Sequence, residues 1–392
     1  MILDVFSELQ KAEPWGPEPE RSVLREAIEQ AKLADTLGYG CWWTVEHHGA
    51  APFSYSSAPE IVVAVLAQHT SRLRFGHSGV LAPFRINHPL RVAERAAVTD
   101  ILSGGRLELG LARSGGSEWD TFGVAPESSR AELREALRMI PAMWTQEAFC
   151  WESEHLRVPE RNVVPKPLQK PHPPLWQTCT SPESFEMAGE LGVGALATTL
   201  LSPLATLRAL LDHYERGLAR CRPAGRFVNA QRAVFTFVHC AKTRREAVES
   251  GAAEAALWFV NAAPRVFQVP RRIWIDAIRG EFQSNDPAAT RSIAAAEVPD
   301  DDLDDPVPVI RALNRQRAGL PLDPEEIFSA LEPMESVVIG DLEACRKKME
   351  GFARIGVDRL MCLMAFGALP QERVLSSLRL VGEALLPELA RG

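Results

Sequence analysis

The chain has 392 residues, a hydrophobic fraction of 46% and a formal net charge of −8, which suits one α/β barrel with insertions and lacks the basic surface of a nucleic-acid binder. No apolar run approaches the roughly 20 residues that span a bilayer, and the first residues lack a charged-then-apolar export signal. Seven cysteines without a CxxC pair make neither a disulfide framework nor a zinc ribbon, so a cytoplasmic protein with reduced thiols and no membrane association is expected.

In chain order, Ile2 to Phe6 reads as the first strand. Val23, Leu24, Ala27, Ile28, Ala31 and Ala34 then recur at helical spacing, with Gly38 where a left-handed cap is wanted. The second strand, Cys41 to Val45, ends abruptly in Glu46, His47 and His48. Parallel barrels gather their chemistry at the carboxyl ends of the strands, so this end reads as functional. Adjacent strand residues face opposite ways, and His47 shares parity with Trp43 and Val45, so His47 is expected to face inward.

The third strand, Leu73 to Ser78, runs into Gly79. Small residues there permit a bulge or an unusual peptide against which a flat ring could press; an ordinary tight exit is the alternative. His69 and His77 are expected to be satisfied structural histidines, and His88 to start the helix at Pro89 that carries Val92, Ala96 and Ile101. Arg106 to Leu111 is the fourth strand. It leads to Arg113, which can fork onto a phosphate, and to Gly115 and Gly116, which let the main chain approach one. The next helix is expected to open at Ser129 with Glu132 at capping-box spacing, burying Leu133, Leu137, Ile140 and Trp144.

A proline-rich stretch from Phe149 to Pro174 predicts short edge strands and turns. Leu175 to Cys179 is the fifth strand. Ser181 before Pro182 marks a helix start whose amides face the barrel mouth, so Arg113 and this helix end together suggest a phosphate site, provided Glu183 points outward. Ala195 to Thr198 and Val234 to Cys240 are strands six and seven, and Arg359 to Ala365 is the eighth, followed by a helix around Val374 to Leu385. Eight alternations predict a (β/α)₈ barrel, one domain over residues 1–392.

Residues 258–335 break the repeat with scattered aromatics (Phe259, Phe267, Trp274, Phe282), alanines and an acidic run from Asp300 to Asp305. An insertion of this length between strands seven and eight is expected to hang over the barrel mouth as a lid or substrate wall, with a solvated surface excursion as the alternative. No metal is expected, because adjacent histidines lack the two-residue offset that puts both on one strand face and no second cluster of His, Asp or Glu stands at another strand end. The chain has no G-x-S-x-G elbow of a serine hydrolase.

These motifs resemble the luciferase-like flavin monooxygenase family. Gly38 to His48 is similar to its G-[YF]-x-x-x-W-x-x-E-H-H segment, Asp100 to Arg113 to its D-x-x-S-x-G-R-x-x-x-G-x-x-R stretch, and Ser336 to Gly340 to the V-x-G before its penultimate helix. The resemblance implies a dimeric barrel, here a homodimer, that binds reduced FMN supplied by a separate flavin reductase and uses oxygen to oxygenate a hydrophobic small organic substrate. It implies His47 beside the flavin, Arg113, Ser181 and Ser184 on its phosphate, and the Ser78–Gly79 peptide as a cis-like bulge beneath the ring. Asp100, Ser103 and Arg106 would be structural. Ala112 stands where light-emitting members carry a reactive cysteine, which argues against bioluminescence but not against oxygenation. A deazaflavin-dependent hydride-transfer enzyme and a non-catalytic flavin-binding partner subunit are the alternatives.

Overall fold

A strand covered by side chains within a barrel and by helices outside it reads as a short, unbroken apolar run, and β1 (Ile2–Ser7) and β2 (Cys41–Thr44) are accordingly buried along almost their whole lengths. The computed structural model describes residues 1–199, 201–281 and 302–389. Between and after these strands come α1 (Pro19–Leu37), α2 (Pro59–Gln68), β3 (Arg74–Leu81), α3 (Pro89–Leu102), β4 (Leu107–Ala112), α4 (Gly116–Phe122) and α5 (Pro126–Thr145). The proline-rich stretch holds the antiparallel pair β5 (Phe149–Glu152) and β6 (Arg157–Arg161), as expected. The barrel resumes with β7 (Leu175–Thr178), α6 (Pro182–Glu190), β8 (Gly194–Thr198), α7 (Leu204–Leu218) and β9 (Arg232–Ala241). Beyond β9 lie α8 (Arg244–Val248), α9 (Ala252–Phe267), α10 (Arg271–Arg279), α11 (Pro308–Arg317), α12 (Pro324–Leu331), β10 (Val338–Asp341), α13 (Leu342–Arg354) and β11 (Arg359–Leu363). The described chain ends with α14 (Gln371–Leu380), a π-helical turn (Val381–Leu385) and α15 (Leu386–Leu389).

Hydrogen bonding runs β11-β1-β2-β3-β4-β7-β8-β9 and closes from β9 back to β11, all parallel, which is the expected (β/α)₈ barrel. The ninth strand of the sheet, β10, was hidden inside the Ser336–Gly340 motif. It exists because β9 is ten residues long: Ala233–Phe237 pair with β11, and Val238–Ala241 run on to pair with β10.

The barrel interior is filled by two similar units. Trp43 Nε1 donates to Asp4 Oδ2 at 2.8 Å, and Trp176 Nε1 donates to Glu108 Oε2 at 2.8 Å. The indoles meet edge to face at 5.2 Å, and each buried carboxylate is neutralised by an arginine, Asp4 by Arg359 and Glu108 by Arg74. Glycine makes room for each ring: a Cβ on Gly76 would sit 2.0 Å from Trp43, and one on Gly194 2.2 Å from Trp176. Buried charges survive only when paired and hydrogen-bonded, and these are. Further along their strands, Phe6, Leu196 and Phe235 line the cavity at the carboxyl end.

Asp100 and Arg106 hold the opposite end together. Asp100 accepts from the Gln169 backbone N–H at 2.9 Å, and Arg106 donates to the carbonyls of Leu73 and Ala67 at 2.9 Å each. Helix α5 starts at Pro126, three residues before the expected Ser129, because proline takes the first helical turn and Ser129 lies buried inside it. His88 starts α3 as expected, its Nδ1 accepting from Leu90 N–H at 3.2 Å. His77 is buried, but neither ring nitrogen has a partner among the described residues, so it is not the satisfied histidine expected.

The inserted helices begin at Ala252, six residues before the composition changes visibly. Phe259, Ala263, Ile275, Ile310 and Phe328 share one hydrophobic core with Phe6, Trp43 and Trp176 of the barrel interior. Asp305, of the acidic run, is buried against Arg279 at 2.6 Å rather than solvated. Phe282, Asp300 and Asp301 lie outside the described residues. No described helix is long and apolar enough to cross a membrane.

Candidate active site

A cavity of about 300 Å³ opens at the carboxyl end of the barrel, and its wall includes His47, Ser78, Gly79, Arg113, Ser181 and Ser184. The six residues singled out in the sequence therefore meet in one place, although they come from the ends of four different strands. Helices α9 and α10 supply the facing wall through Phe259, Phe267, Ile273 and Trp274. The Ser78–Gly79 peptide is cis and sits where the β3–β4 register shifts between His77 and Val80.

His47 lies three residues past the end of β2, between two carboxylates. Its Nδ1 donates to Glu118 Oε1 at 3.2 Å, while Nε2 stands 3.7 Å from Glu8 Oε2. An ionised carboxylate can only accept, so Glu118 fixes the proton on Nδ1 and leaves Nε2 as the exchanging nitrogen. Burial opposes charge on His47, but the Glu118 hydrogen bond and the charges of Glu8 and Glu118 outweigh it and hold the imidazole above its ordinary pKa. Burial likewise works against ionised Glu118, yet the hydrogen bond and charge of His47, with bonds from Ser114 and the His48 amide, hold its carboxyl below the usual range. Glu8 behaves oppositely: burial pushes it up to about 7, with His47 pulling down only in part.

Glu46 and His48 turn away from this pair. Glu46 is buried and accepts from Leu81 N–H at 2.9 Å, from Asn87 Nδ2 at 2.9 Å and from His48 Nε2 at 3.2 Å. It straps the end of β2 to the turn after β3, so it positions the walls of the cavity. Burial raises its pKa, but these bonds bring it below the usual carboxylate value.

At the other end, Arg113 is held by Ser129, whose Oγ accepts from Nη2 at 2.9 Å and donates to Pro126 O at 2.6 Å. The guanidinium also lies over the Trp119 ring at 5.6 Å. Ser181 caps α6 in a reciprocal box with Ser184, and Glu183 is exposed, as the phosphate reading requires. Ser184 Oγ is occupied within that box: it accepts from the amides of Thr180 and Ser181 at 3.0 and 2.9 Å and donates to Ser181 O at 2.7 Å. Gly116 serves differently from expectation. A Cβ there would sit 1.6 Å from Phe267 O, so this glycine lets α4 dock on α9.

Sequence reasoning missed Glu8 and Glu118. Glu8 carries the same signal as Glu46, a carboxylate just after a buried strand. Glu118 reads as an ordinary first-turn acid of a short helix, and only packing brings it to His47.

Thr178, Thr198 and Thr199, at the ends of β7 and β8, line the cavity with buried hydroxyls that have no partner among the described residues. Buried polar groups are nearly always hydrogen-bonded, so a wall with several vacant ones fits a ligand that carries many of its own. The arrangement has an arginine and a helix start at one end, hydroxyls along the wall, and a histidine among aromatic side chains at the other. It suits a phosphorylated, polyhydroxylated molecule with a flat ring. Among the described residues no group of three or more His, Cys, Asp or Glu side chains is placed to hold a metal ion.

The model of the luciferase-like monooxygenase family matches residues 5–359. The chain belongs to that family. Among curated relatives of this luciferase-like protein is the oxygenase component of a flavin-dependent trigonelline monooxygenase from Acinetobacter baylyi, 34% identical over 198 residues, which are 50% of this chain and 54% of the relative. The chain thus spans about half the length of curated relatives it matches. Solved structures share the fold. The oxygenating constituent of 3,6-diketocamphane monooxygenase from Pseudomonas putida, a type II Baeyer-Villiger monooxygenase in complex with FMN, superposes with a TM-score of 0.71 over 99% of this chain and 98% of that one at 17% identity. The coenzyme F420 dependent tetrahydromethanopterin reductase of Methanopyrus kandleri does so with a TM-score of 0.66 over 99% of each chain, also at 17% identity.

Proposed function

We propose that this luciferase-like protein is a monooxygenase that uses reduced FMN and oxygen to oxygenate a hydrophobic small organic substrate. The observation that carries the reading is the single cavity with Arg113 and the Ser181 helix start at one end and the Glu118-held His47 at the other. Reduced flavin, when bound, supplies the electrons that activate oxygen. The chain's own residues do the rest. Arg113 and the α6 start, with Ser181 and Ser184 shaping its first turn, hold the phosphate by charge and backbone dipole. The Ser78–Gly79 peptide forms the surface beneath the ring. Phe267, Ile273 and Trp274 exclude water, and helices α9 and α10, which carry the first part of the 258–335 insertion, act as its lid over the mouth. His47 takes or returns a proton at Nε2 while Glu118 keeps the ring oriented.

Reduced flavin would come from a separate reductase, in keeping with the trigonelline relative being named an oxygenase component. The protein would work as a homodimer: Ile61 and Val65 on α2 and Val98, Ile101 and Leu102 on α3 expose an apolar face on two adjoining helices that a second copy would cover. A cytoplasmic location accords with seven cysteines that are all free.

A deazaflavin cofactor is the second reading, favoured by the shared fold of the F420 dependent reductase. A passive flavin-binding subunit is disfavoured by the His47–Glu118 pair, which holds an oriented imidazole at the cavity wall. Oxygen-free titration with photoreduced FMN and with reduced deazaflavin separates the cofactors: tight binding of FMN alone is expected, and binding of the deazaflavin alone overturns the assignment. Oxygen uptake coupled to an oxygenated product then separates an enzyme from a passive binder.

A further inference from the structure

Among the described residues, five buried carboxylates face the barrel interior or its carboxyl-end mouth, and four are fully engaged. Asp4 bonds Trp43 and Arg359; Glu108 bonds Trp176 and Arg74; Glu46 bonds Asn87, His48 and the Leu81 amide; Glu118 bonds His47, Ser114 and the His48 amide. Glu8 is the exception. Its residue is 4% exposed, it lines the cavity, and its Oε2 has no hydrogen-bond partner among the described residues. His47 Nε2 forms an ion pair with it at 3.7 Å, beyond hydrogen-bond length, and the short bond of that ring goes to Glu118. The Glu8 backbone carbonyl accepts from Ser54 Oγ at 2.7 Å. Among the described residues no hydrogen bond uses Oε2 of this carboxylate.

The wall around Glu8 is flat and aromatic. Phe6, two residues earlier on the same strand face, stacks on Phe235 with centroids 4.2 Å apart and planes 2° from parallel, while Phe53 and Phe267 meet edge to face at 5.3 Å. All four line the cavity. A vacant acceptor set among aromatic faces is matched by a planar molecule that brings one donor with it.

We propose that the substrate is a planar aromatic compound bearing a hydrogen-bond donor, either a hydroxyl or a protonated nitrogen, and that Glu8 receives that donor. The inference rests on the oxygenase reading and narrows its substrate. Purely aliphatic substrates would leave Oε2 buried without a hydrogen-bond donor, as it is in the free protein.

The test uses ligand pairs of one ring shape, one member with and one without the donor: 4-ethylphenol against its methyl ether 4-ethylanisole, and charged 4-ethylbenzylammonium against its neutral isostere 1,4-diethylbenzene, with Glu8→Leu as the control for the added methyl and charge. Their affinities are measured by calorimetry under oxygen-free conditions at about pH 8.5, above the Glu8 pKa of about 7 so that the carboxylate is ionised, for the full chain, with and without reduced FMN, and for Glu8→Gln and Glu8→Leu. A hydrogen bond to a charged acceptor corresponds to about 10-fold or more in affinity. At least one donor-bearing ring is expected to bind about 10-fold tighter than its partner, with the preference reduced in Glu8→Gln and lost in Glu8→Leu; the pair that shows it identifies the donor. Equal affinities within both pairs on the unaltered protein, or a preference that persists in Glu8→Leu, overturn the proposal. Failure of FMN to bind counts against the oxygenase reading alone, since the flavin-free titrations still decide the role of Glu8.

Discussion

His47 and Glu118 are 71 positions apart in the chain, yet Nδ1 of one lies 3.2 Å from Oε1 of the other, and the same carboxylate oxygen accepts the His48 amide at 3.0 Å. Glu118 therefore fixes both the tautomer and the orientation of the ring. This pair gives a strand-end histidine a fixed orientation at the cavity wall, with Nε2 on the side of Glu8.

Replacing His47 by alanine is expected to leave reduced-FMN affinity within about twofold and to lower product formation by roughly 10²- to 10⁴-fold, the usual range for a positioned acid or base. Single-turnover product analysis checks this. Unchanged product yield from the variant would remove His47 from the chemistry.

Glu118→Gln removes the charge and weakens the bond that raise the His47 pKa, so the imidazole should titrate at lower pH. The sign for stability follows. His47, with its pKa raised above 6.5, stabilises the fold fully below that value and progressively less as pH rises through its folded pKa. Glu118, with its pKa lowered below 4.5, stabilises above that value and less as pH falls through its folded pKa. The pair is thus strongest between pH 4.5 and 6.5, where Glu118→Gln should cost most. Carbon-13 NMR of the His47 ring, with unfolding followed at the same pH values, tests it; a His47 pKa that stays put or rises contradicts the assignment.

Glu8 has the opposite sign for a carboxyl. Its pKa rises from 4.5 to about 7 on folding, so the folded state keeps a proton that the unfolded chain has released, and Glu8 lowers stability as pH climbs through that window. Glu8→Gln should flatten the decline in thermal midpoint between those values relative to the unaltered protein. Parallel curves for the two proteins would show that Glu8 does not titrate there.

Gly76→Ala places a methyl 2.0 Å from the Trp43 ring, which is hydrogen-bonded to Asp4 and packed against Trp176. The indole has nowhere to move. A loss of about 3 kcal/mol or more in denaturant unfolding is expected from such overpacking, and a variant within 1 kcal/mol of the original would show that the interior is looser than described.

The eight barrel strands were legible because double-sided burial leaves short, mostly apolar runs between helical patterns, even where single polar residues such as Asp4, His77 and Glu108 interrupt them, and His47 was legible from its parity with Trp43. Strand β10 was not, since Val338–Asp341 is four residues long and exists only where β9 outruns the ring. The start of α5 was misplaced because Ser129 and Glu132 mimic a cap while Pro126 takes the first turn. Ser129 instead anchors Arg113, a tertiary duty that no local pattern records. Glu118 was invisible for the same reason: its partner comes from the end of β2, and the α4 sequence around it is ordinary.

The central claim is that one flavin bridges Arg113 and His47. It is tested most directly by oxygen-free titration of the unaltered protein and of Arg113→Ala with reduced FMN and with reduced riboflavin, which lacks the phosphate. The unaltered protein should bind FMN at least about 10-fold more tightly than riboflavin, the scale of a charge-assisted hydrogen bond, and Arg113→Ala should lose that preference while still binding riboflavin. Equal affinity of the unaltered protein for the two flavins, or an FMN preference that survives in Arg113→Ala, would contradict it.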